Sequence, residues 1–524
     1  MQKKQEYIII SIIILLAYIL RILPYLLGYQ IPISDDALND YGQVKYFLEH
    51  NQTKREFAYG NFPVLHIFTA FISKLGISPL TTFLFIPQIF PSIGLLFFYL
   101  FLKKYFPKKQ SLLACLLIAL FPPHLYWTAQ PVRETIGLFF FPLIIYLFDK
   151  EISNHENNKL GISNKFLLII SFLLIIAAHN WSTVMLFVFL FSYSFFKINN
   201  KKLFLYTLSL MILFLILSIT YWHFFFPSIF RLFFFFRMIR IPIHVPIILS
   251  LVILLFIIIL RIYNLKKLKN NLLFIISLIS SLIMAFIISK IAPFSYPIQI
   301  WISLLTYLIF TFIGFFFTKD KKMDLFSKIC IIYILPIFAS LFYAYMGKSL
   351  HKMPFDPIRI LEFIIFPCSI LTSYGLSKIT KKSKSLLAIT LIILTVLATL
   401  TYPPIFVYRS HFQDTPFYDI RGHIRYIPPE AIEIIDWANS YGYNIKTTSR
   451  TLLVYEDHFY EVSKKKLVLI TKYDYILLQN YKKVNDRHLG LPNPQILINK
   501  SKSMTLVYTN GWGSLYKNEN SNFP

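Results

Sequence analysis

Two adjacent aspartates, Asp35 and Asp36, follow directly on the first apolar run of the chain, in Gly28-Tyr-Gln-Ile-Pro-Ile-Ser-Asp-Asp-Ala. A carboxylate pair at a membrane surface can bind a divalent cation or take the proton of an attacking hydroxyl. The same pair can also do no more than cap a helix, with Ser34 or Asp35 as the N-cap. A further carboxylate, Glu134, sits in Ala129-Gln-Pro-Val-Arg133-Glu134 at the start of another apolar run. Asp36 and Glu134 can share one ion, and oxygen ligands suit Mg2+ or Mn2+. The plainer reading of this dipeptide is interfacial: Glu134 favoured at a helix N-terminus and Arg133 snorkelling.

A third constellation is Asp356-Pro-Ile-Arg359-Ile-Leu-Glu362. Arg359 and Glu362 are three residues apart, hence on one helix face. They can pair with each other, or Glu362 can hold Arg359 toward a lipid phosphate. His66, in Asn61-Phe-Pro-Val-Leu-His66, and His179 are further candidates for substrate binding, each a weak signal alone.

The elements that must position these residues are membrane helices. The chain has 524 residues, 56% hydrophobic and 18% aromatic, and a mean hydropathy of +0.59. Apolar runs long enough to cross a ~30 Å hydrocarbon core recur along most of it. They lie near 7–27, 79–102, 111–128, 133–148, 166–178, 181–196, 203–226, 246–262, 272–290, 298–317, 329–346, 359–377 and 386–402, about 13 crossings. The polar His179-Asn180 divides 166–196 into two spans with a bend. Segment 63–75 is too short to span and reads as an interfacial or re-entrant helix.

Charge fixes the orientation. A net charge of +27 would point to nucleic acid in a soluble protein. Here the lysines lie mostly in short loops between apolar runs, as the positive-inside rule requires, so nucleic acid is not an expected partner. Lys103-Lys104, Lys108-Lys109, Lys201-Lys202, Lys266-Lys267, Lys321-Lys322 and Lys381-Lys382 fall in alternate loops. The N-terminus is then cytoplasmic, and the segment beyond 402 lies outside a cell membrane. Cys115, Cys330 and Cys368 all fall in apolar segments, so neither a disulfide framework nor a metal-binding cysteine spacing is expected.

Arginine is distributed differently. Arg21, Arg55, Arg133, Arg231, Arg237, Arg240 and Arg359 lie at or near the outer ends of spans or in outer loops, as do most histidines. Lysine suffices as a topological charge, whereas the planar guanidinium grips phosphate with paired donors. Chance placement with snorkelling is one account of this. The other is an outer-face site for an anionic, phosphate-bearing ligand. The first outer loop, 28–78, is far longer than a connector needs, which often signals function. Within it Leu38, Tyr41, Val44, Phe47 and Leu48 follow helical spacing, with Asp40, Gln43, Lys45 and Glu49 between them. This predicts an amphipathic helix on the membrane surface.

From about residue 402 the composition becomes that of a soluble domain. A helix is expected at 430–441, with strands near 452–455, 473–478, 504–508 and 512–516, and a tight turn at Asn510-Gly511. The expected organisation is a transmembrane domain over 1–402 and a small extracytoplasmic α/β domain over 403–524.

This arrangement resembles the GT-C glycosyltransferases, which include protein O-mannosyltransferases, aminoarabinose transferases and oligosaccharyltransferase catalytic subunits. The resemblance rests on the order of parts: N-in topology, Asp35-Asp36 in a long first outer loop, and a C-terminal outer domain. Local likenesses are Asn61–His66, the Arg133-Glu134 loop, the Arg359 helix and the ending Val507-Tyr-Thr-Asn-Gly-Trp-Gly-Ser-Leu-Tyr-Lys517. It implies a multi-pass transferase that takes sugar from a polyprenyl or dolichyl phosphate carrier and passes it to a glycan, lipid or protein acceptor. Asp35 or Asp36 would take the family's first-loop acidic position. One departure matters: the Trp-Trp-Asp-Tyr-Gly motif of oligosaccharyltransferases is absent, and the outer domain has only Trp437 and Trp512. Transfer of a monosaccharide is favoured over sequon glycosylation.

The expected chemistry is an inverting transfer, with Asp35 or Asp36 as base, Glu134 as further catalytic carboxylate, and Arg133 and Arg359 at the departing phosphate. A flippase or transporter for a lipid-linked sugar is the rival class. Such proteins usually show internal repeats and midplane charges, whereas no repeat is visible here and charge gathers at the outer helix ends. A non-catalytic subunit that binds glycan-lipid is the third reading.

Overall fold

The computed structural model describes residues 3–26, 35–53, 58–158, 162–194, 200–225, 307, 310, 311, 314 and 357–378, and four strands at 445–447, 475–479, 505–509 and 513–517. The expected spans 246–262, 272–290, 329–346 and 386–402, most of 298–317, the strand at 452–455 and the helix at 430–441 lie outside the described residues. So do the side chains of Asp35, Asp36 and Arg359.

The described helices are α1 (Lys3–Leu26), α2 (Asp35–His50), α3 (Val64–Ser73), α4 (Pro79–Phe85), α5 (Ile89–Leu102), α6 (Lys108–Leu120), α7 (Pro122–Ala129), α8 (Arg133–Glu156), α9 (Ile162–Ala178), α10 (Asn180–Ser194), α11 (Lys201–Phe225) and α12 (Pro357–Lys378). Among the described residues, three stretches are long and apolar enough to cross a membrane: Lys4–Leu26, Pro79–Leu102 and Lys201–Phe225.

Proline sets several boundaries. The run 79–102 is interrupted between α4 and α5 at Pro87, and 111–128 divides into α6 and α7 at Phe121, whose backbone is extended (φ −71°, ψ 115°). Pro122 and Pro123 follow at once. A proline disfavours helical conformation in the residue before it and has no N–H to donate, but it is well suited to a first helical turn. The bend expected at His179 is present, with α9 ending at Ala178 and α10 starting at Asn180.

The bundle is built around α8, which packs on α5, α9 and α10. Phe141, Ile144, Phe148 and Ile152 are buried along it. At Gly137 a Cβ would stand 2.8 Å from Cβ of Ser182 and 3.0 Å from Cβ of His179. Only a hydrogen there lets the start of α10 approach so closely. On the other side α12 packs against α6 and α7, and Phe366 meets Phe98 and Phe141.

The strands β1 (Ile445–Thr447), β2 (Tyr475–Gln479), β3 (Thr505–Thr509) and β4 (Gly513–Lys517) form one sheet in the order β1-β2-β4-β3. β1 runs parallel to β2, and β4 runs antiparallel to both β2 and β3. The β3–β4 pairing is the one that Asn510-Gly511 predicts. The sequence pattern does not predict β1; three residues carry too little alternation to mark a strand.

Candidate active site

Between α1 and α4, α2 packs on α3. The amphipathic pattern of α2 predicts Asp40 on the exposed face of a surface helix. Instead Asp40 is fully buried, and Gln43 is nearly so, together with Ala37 and Val44. Lys45 and Glu49 do remain at the surface. Asp40 shares a helix face with Ala37 and Val44, with Gln43 at its edge, and that face is the buried one, with partners for Asp40 on α3 and α8.

Asp40 joins His66 and Arg133. His66 Nε2 lies 2.9 Å from Asp40 Oδ1, and Arg133 Nε forms an ion pair with the same oxygen at 2.9 Å. The backbone N–H of Arg133 donates to Oδ2 at 3.2 Å. This last bond has a local cause. The N-cap of α8 is Val132, whose side chain makes no capping hydrogen bond. The first N–H groups of a helix have no partner within it, and Asp40, from 93 residues earlier, supplies the missing oxygen. The Arg133 guanidinium lies over the Phe62 ring at 5.6 Å from its centroid, a favourable cation–π placement.

His66 is completely buried. Burial pushes its pKa below the ordinary value, the hydrogen bond and charge of Asp40 pull it partly back, and Arg133 adds to the lowering. With Nε2–H given to Asp40, Nδ1 holds a lone pair that has no partner among the described residues. Asp40 itself is occupied by two hydrogen bonds and an ion pair, so it anchors the loop.

One residue along α8, Glu134 is 2% exposed and its Oε1 is 3.8 Å from His179 Nδ1. The position suits a carboxylate, since the helix N-terminus carries partial positive charge. His179 also caps α10: its Nδ1 accepts the backbone N–H of Ser182 at 3.3 Å and lies 3.0 Å from Ser182 Oγ. Of the candidates read from the sequence, the fold therefore brings His66 and Arg133 together through Asp40, and Glu134 beside His179. Asp36 occupies the α2 position one turn before Asp40. Glu362 is fully buried in α12. Asp40 is the site residue that sequence reasoning passes over. Its signal is a carboxylate one turn after Asp36, within the same long loop as His66.

Among the described residues no group of three His, Cys, Asp or Glu side chains could hold a metal ion. The oxygens of Asp40 are taken by N–H donors, and of the expected pair Asp36 and Glu134 only the Glu134 side chain is described. The described residues alone do not make up a Mg2+ or Mn2+ site.

No protein-family model matches the chain, and no curated protein matches it. Among solved structures it is similar to the Archaeoglobus fulgidus oligosaccharyltransferase complex with Zn and sulfate, at 13% identity and TM-score 0.47, over 82% of this chain and 55% of that one. It is also similar to the archaeal oligosaccharyltransferase AglB from Archaeoglobus fulgidus in complex with an inhibitory peptide and a dolichol-phosphate, at 13% identity and TM-score 0.43, over 77% of this chain and 55% of that one. For the apo form the values are 12%, 0.46, 84% and 58%. The chain matches little more than half the length of these structures.

Proposed function

We propose that this protein is an integral membrane glycosyltransferase of the GT-C type, moving a sugar from a polyprenyl phosphate carrier to an acceptor on the outer face. One observation carries the reading. Asp40 fastens α2, which begins at Asp35-Asp36, to the first residue of α8, so that two carboxylate-bearing segments far apart in sequence meet at one place.

In the reaction, an acceptor hydroxyl approaches the anomeric carbon and Asp35 or Asp36 takes its proton. The new bond forms between acceptor oxygen and sugar carbon as the bond from that carbon to the phosphate oxygen breaks. The electron pair leaves with the polyprenyl phosphate, whose charge Arg133 and Arg359 stabilise. Attack opposite the leaving group inverts the anomeric centre. Within this scheme Asp40 and His66 are positioning residues that hold Arg133 and the loop in place, and Glu134, the next residue of α8, is the further catalytic carboxylate.

The test uses purified full-length protein with labelled polyprenyl-phosphate sugars, following sugar release or transfer. Turnover by the wild type, lost in both Asp35→Asn and Asp36→Asn or in whichever of them is the base, is expected. Full activity in both folded variants removes the assignment. Binding without any release or transfer favours a flippase or a non-catalytic glycan-lipid-binding subunit.

A further inference from the structure

Arg21 lies in the C-terminal part of α1 and is the largest fully buried side chain among the described residues. Its Nη1 donates to the carbonyl of Ala17 at 2.6 Å. Its Nε and Nη2 have no partner among the described residues, and no described carboxylate forms an ion pair with it. A buried guanidinium is costly unless it is paired, because removing it from water gives up its hydration. The open nitrogens are informative in themselves. Nε and Nη2 form one edge of the guanidinium, whose two parallel N–H bonds match two oxygens of a phosphate or carboxylate.

The surroundings are polar and incomplete in the same way. His124, on α7, is buried within electrostatic reach of Arg21, and its Nδ1 has no partner among the described residues. One turn further along α1, Tyr25 donates to the Ala129 carbonyl at 3.0 Å. Gln88 donates to the same oxygen at 3.1 Å, leaving its own Oε1 without a described partner. Thus four buried side chains from α1, α7 and the α4–α5 break gather at this end of the bundle, and three of them have polar atoms unused. The opposite face of α1 exposes Ile8, Ile12, Leu15 and Ile19, so the wall between this site and the lipid is one helix thick.

We infer that Arg21, supported by His124, forms a binding site for a phosphate oxyanion carried on a lipid. Within the proposed transferase function, on which this assignment of the ligand rests, the oxyanion is the phosphate of the polyprenyl carrier. Arg21 offers the paired edge, His124 adds a ring nitrogen with no described partner to the same buried polar cluster, and the prenyl chain leaves the site past α1 toward the lipid that its apolar face meets.

The experiment measures binding of a short polyprenyl monophosphate, of the matching polyprenol and of inorganic phosphate to the full-length protein in nanodiscs, alongside thermal unfolding without ligand. Wild-type protein is expected to bind the monophosphate, with about a tenfold loss or more in Arg21→Gln, an intermediate loss in Arg21→Lys, and weak binding of polyprenol. Inorganic phosphate should compete only weakly; competition matching the lipid assigns the site to a free anion and overturns the lipid source. Arg21→Met should unfold at an unchanged or higher temperature, since it removes a buried charge without a partner. A merely structural arginine predicts the reverse, destabilisation with monophosphate binding unchanged in Arg21→Gln, and that result overturns the site. Arg21-dependent binding without sugar transfer would retain the site while removing the transferase reading.

Discussion

At the end of the bundle where α5 meets α6, Glu6 lies 3.3 Å from Lys103 and 2.5 Å from Lys108. Nearby, Asp149 pairs with Lys104 at 2.8 Å and accepts from Tyr193 at 2.7 Å and from Tyr105. Glu151 accepts from Asn164 and Tyr206. Each of these buried carboxylates is met by several donors. At the other end Arg21, His124, Gln88 and His66 each retain a buried polar atom with no partner among the described residues. The first end gives each of its buried carboxylates several donors, with only the neutral Asn164 Oδ1 and Tyr99 Oη left over among the described residues, whereas at the other end a buried cation, the Arg21 guanidinium, keeps unused hydrogen-bonding capacity. Buried polar atoms cost stability when unmatched, and a buried charge without its counter-ion costs more than a neutral oxygen, so the open edge of Arg21 is what an anion site would require.

Asp40 is the exception at the open end, and its removal should give the largest stability effect. Asp40→Ala leaves His66 and the Arg133 guanidinium without their carboxylate and uncaps α8. A loss of about 3–5 kcal/mol is expected, read as a lower unfolding temperature or failure to accumulate folded protein. Asp149→Ala at the closed end should cost less, about 1–3 kcal/mol, because Lys104 is 42% exposed and can turn to water. Equal losses from the two variants would erase the contrast between a carboxylate whose cation is largely buried with it and one whose lysine reaches water.

Gly137→Ala tests the approach of α10 to α8 beside Glu134. The added methyl must displace Ser182 or His179, costing about 1–3 kcal/mol by overpacking. Transfer activity should fall with it as His179 moves from Glu134. Retained activity at wild-type stability would show that this approach is not needed.

His66 gives a pH dependence. Its folded-state pKa is lowered, chiefly by burial, while in the unfolded chain it titrates near its ordinary value of about 6.5. As pH falls through that value the unfolded state gains a proton that the folded state does not, so this histidine makes stability decline on acidification. His66→Gln, which keeps a donor for Asp40, should flatten the dependence between about pH 7.5 and about pH 5.5 in unfolding measurements. The smallest effect belongs to Lys165→Met. Lys165 lies 4.0 Å from Glu151 and is 51% exposed, and such pairs contribute about 0–1 kcal/mol. A larger loss would show that the closed end depends on its exposed lysines and not on its tyrosines.

Much of this is legible in the residues. The bend at His179-Asn180 and the pairing of the strands on either side of Asn510-Gly511 follow from backbone chemistry acting over a few residues, whereas 79–102 and 111–128, read as unbroken runs, are divided at Pro87 and before Pro122-Pro123. The sequence also points to His66, Arg133 and Glu134, because their types suit the chemistry.

Tertiary structure decided the partners. Nothing near Asp40 in sequence reveals that it caps α8 across 93 residues, or that Gln43 turns inward with it. Helical periodicity defines the faces of α2 but not which neighbour covers them. The same limit applies to Arg21, whose position near a helix end reads as snorkelling until α4, α5, α6 and α7 are packed around α1. Local patterns fix where helices start, stop and bend, since those energies act between near neighbours. Which polar group is satisfied, and which is left open to a ligand, depends on contacts that exist only once distant helices have met.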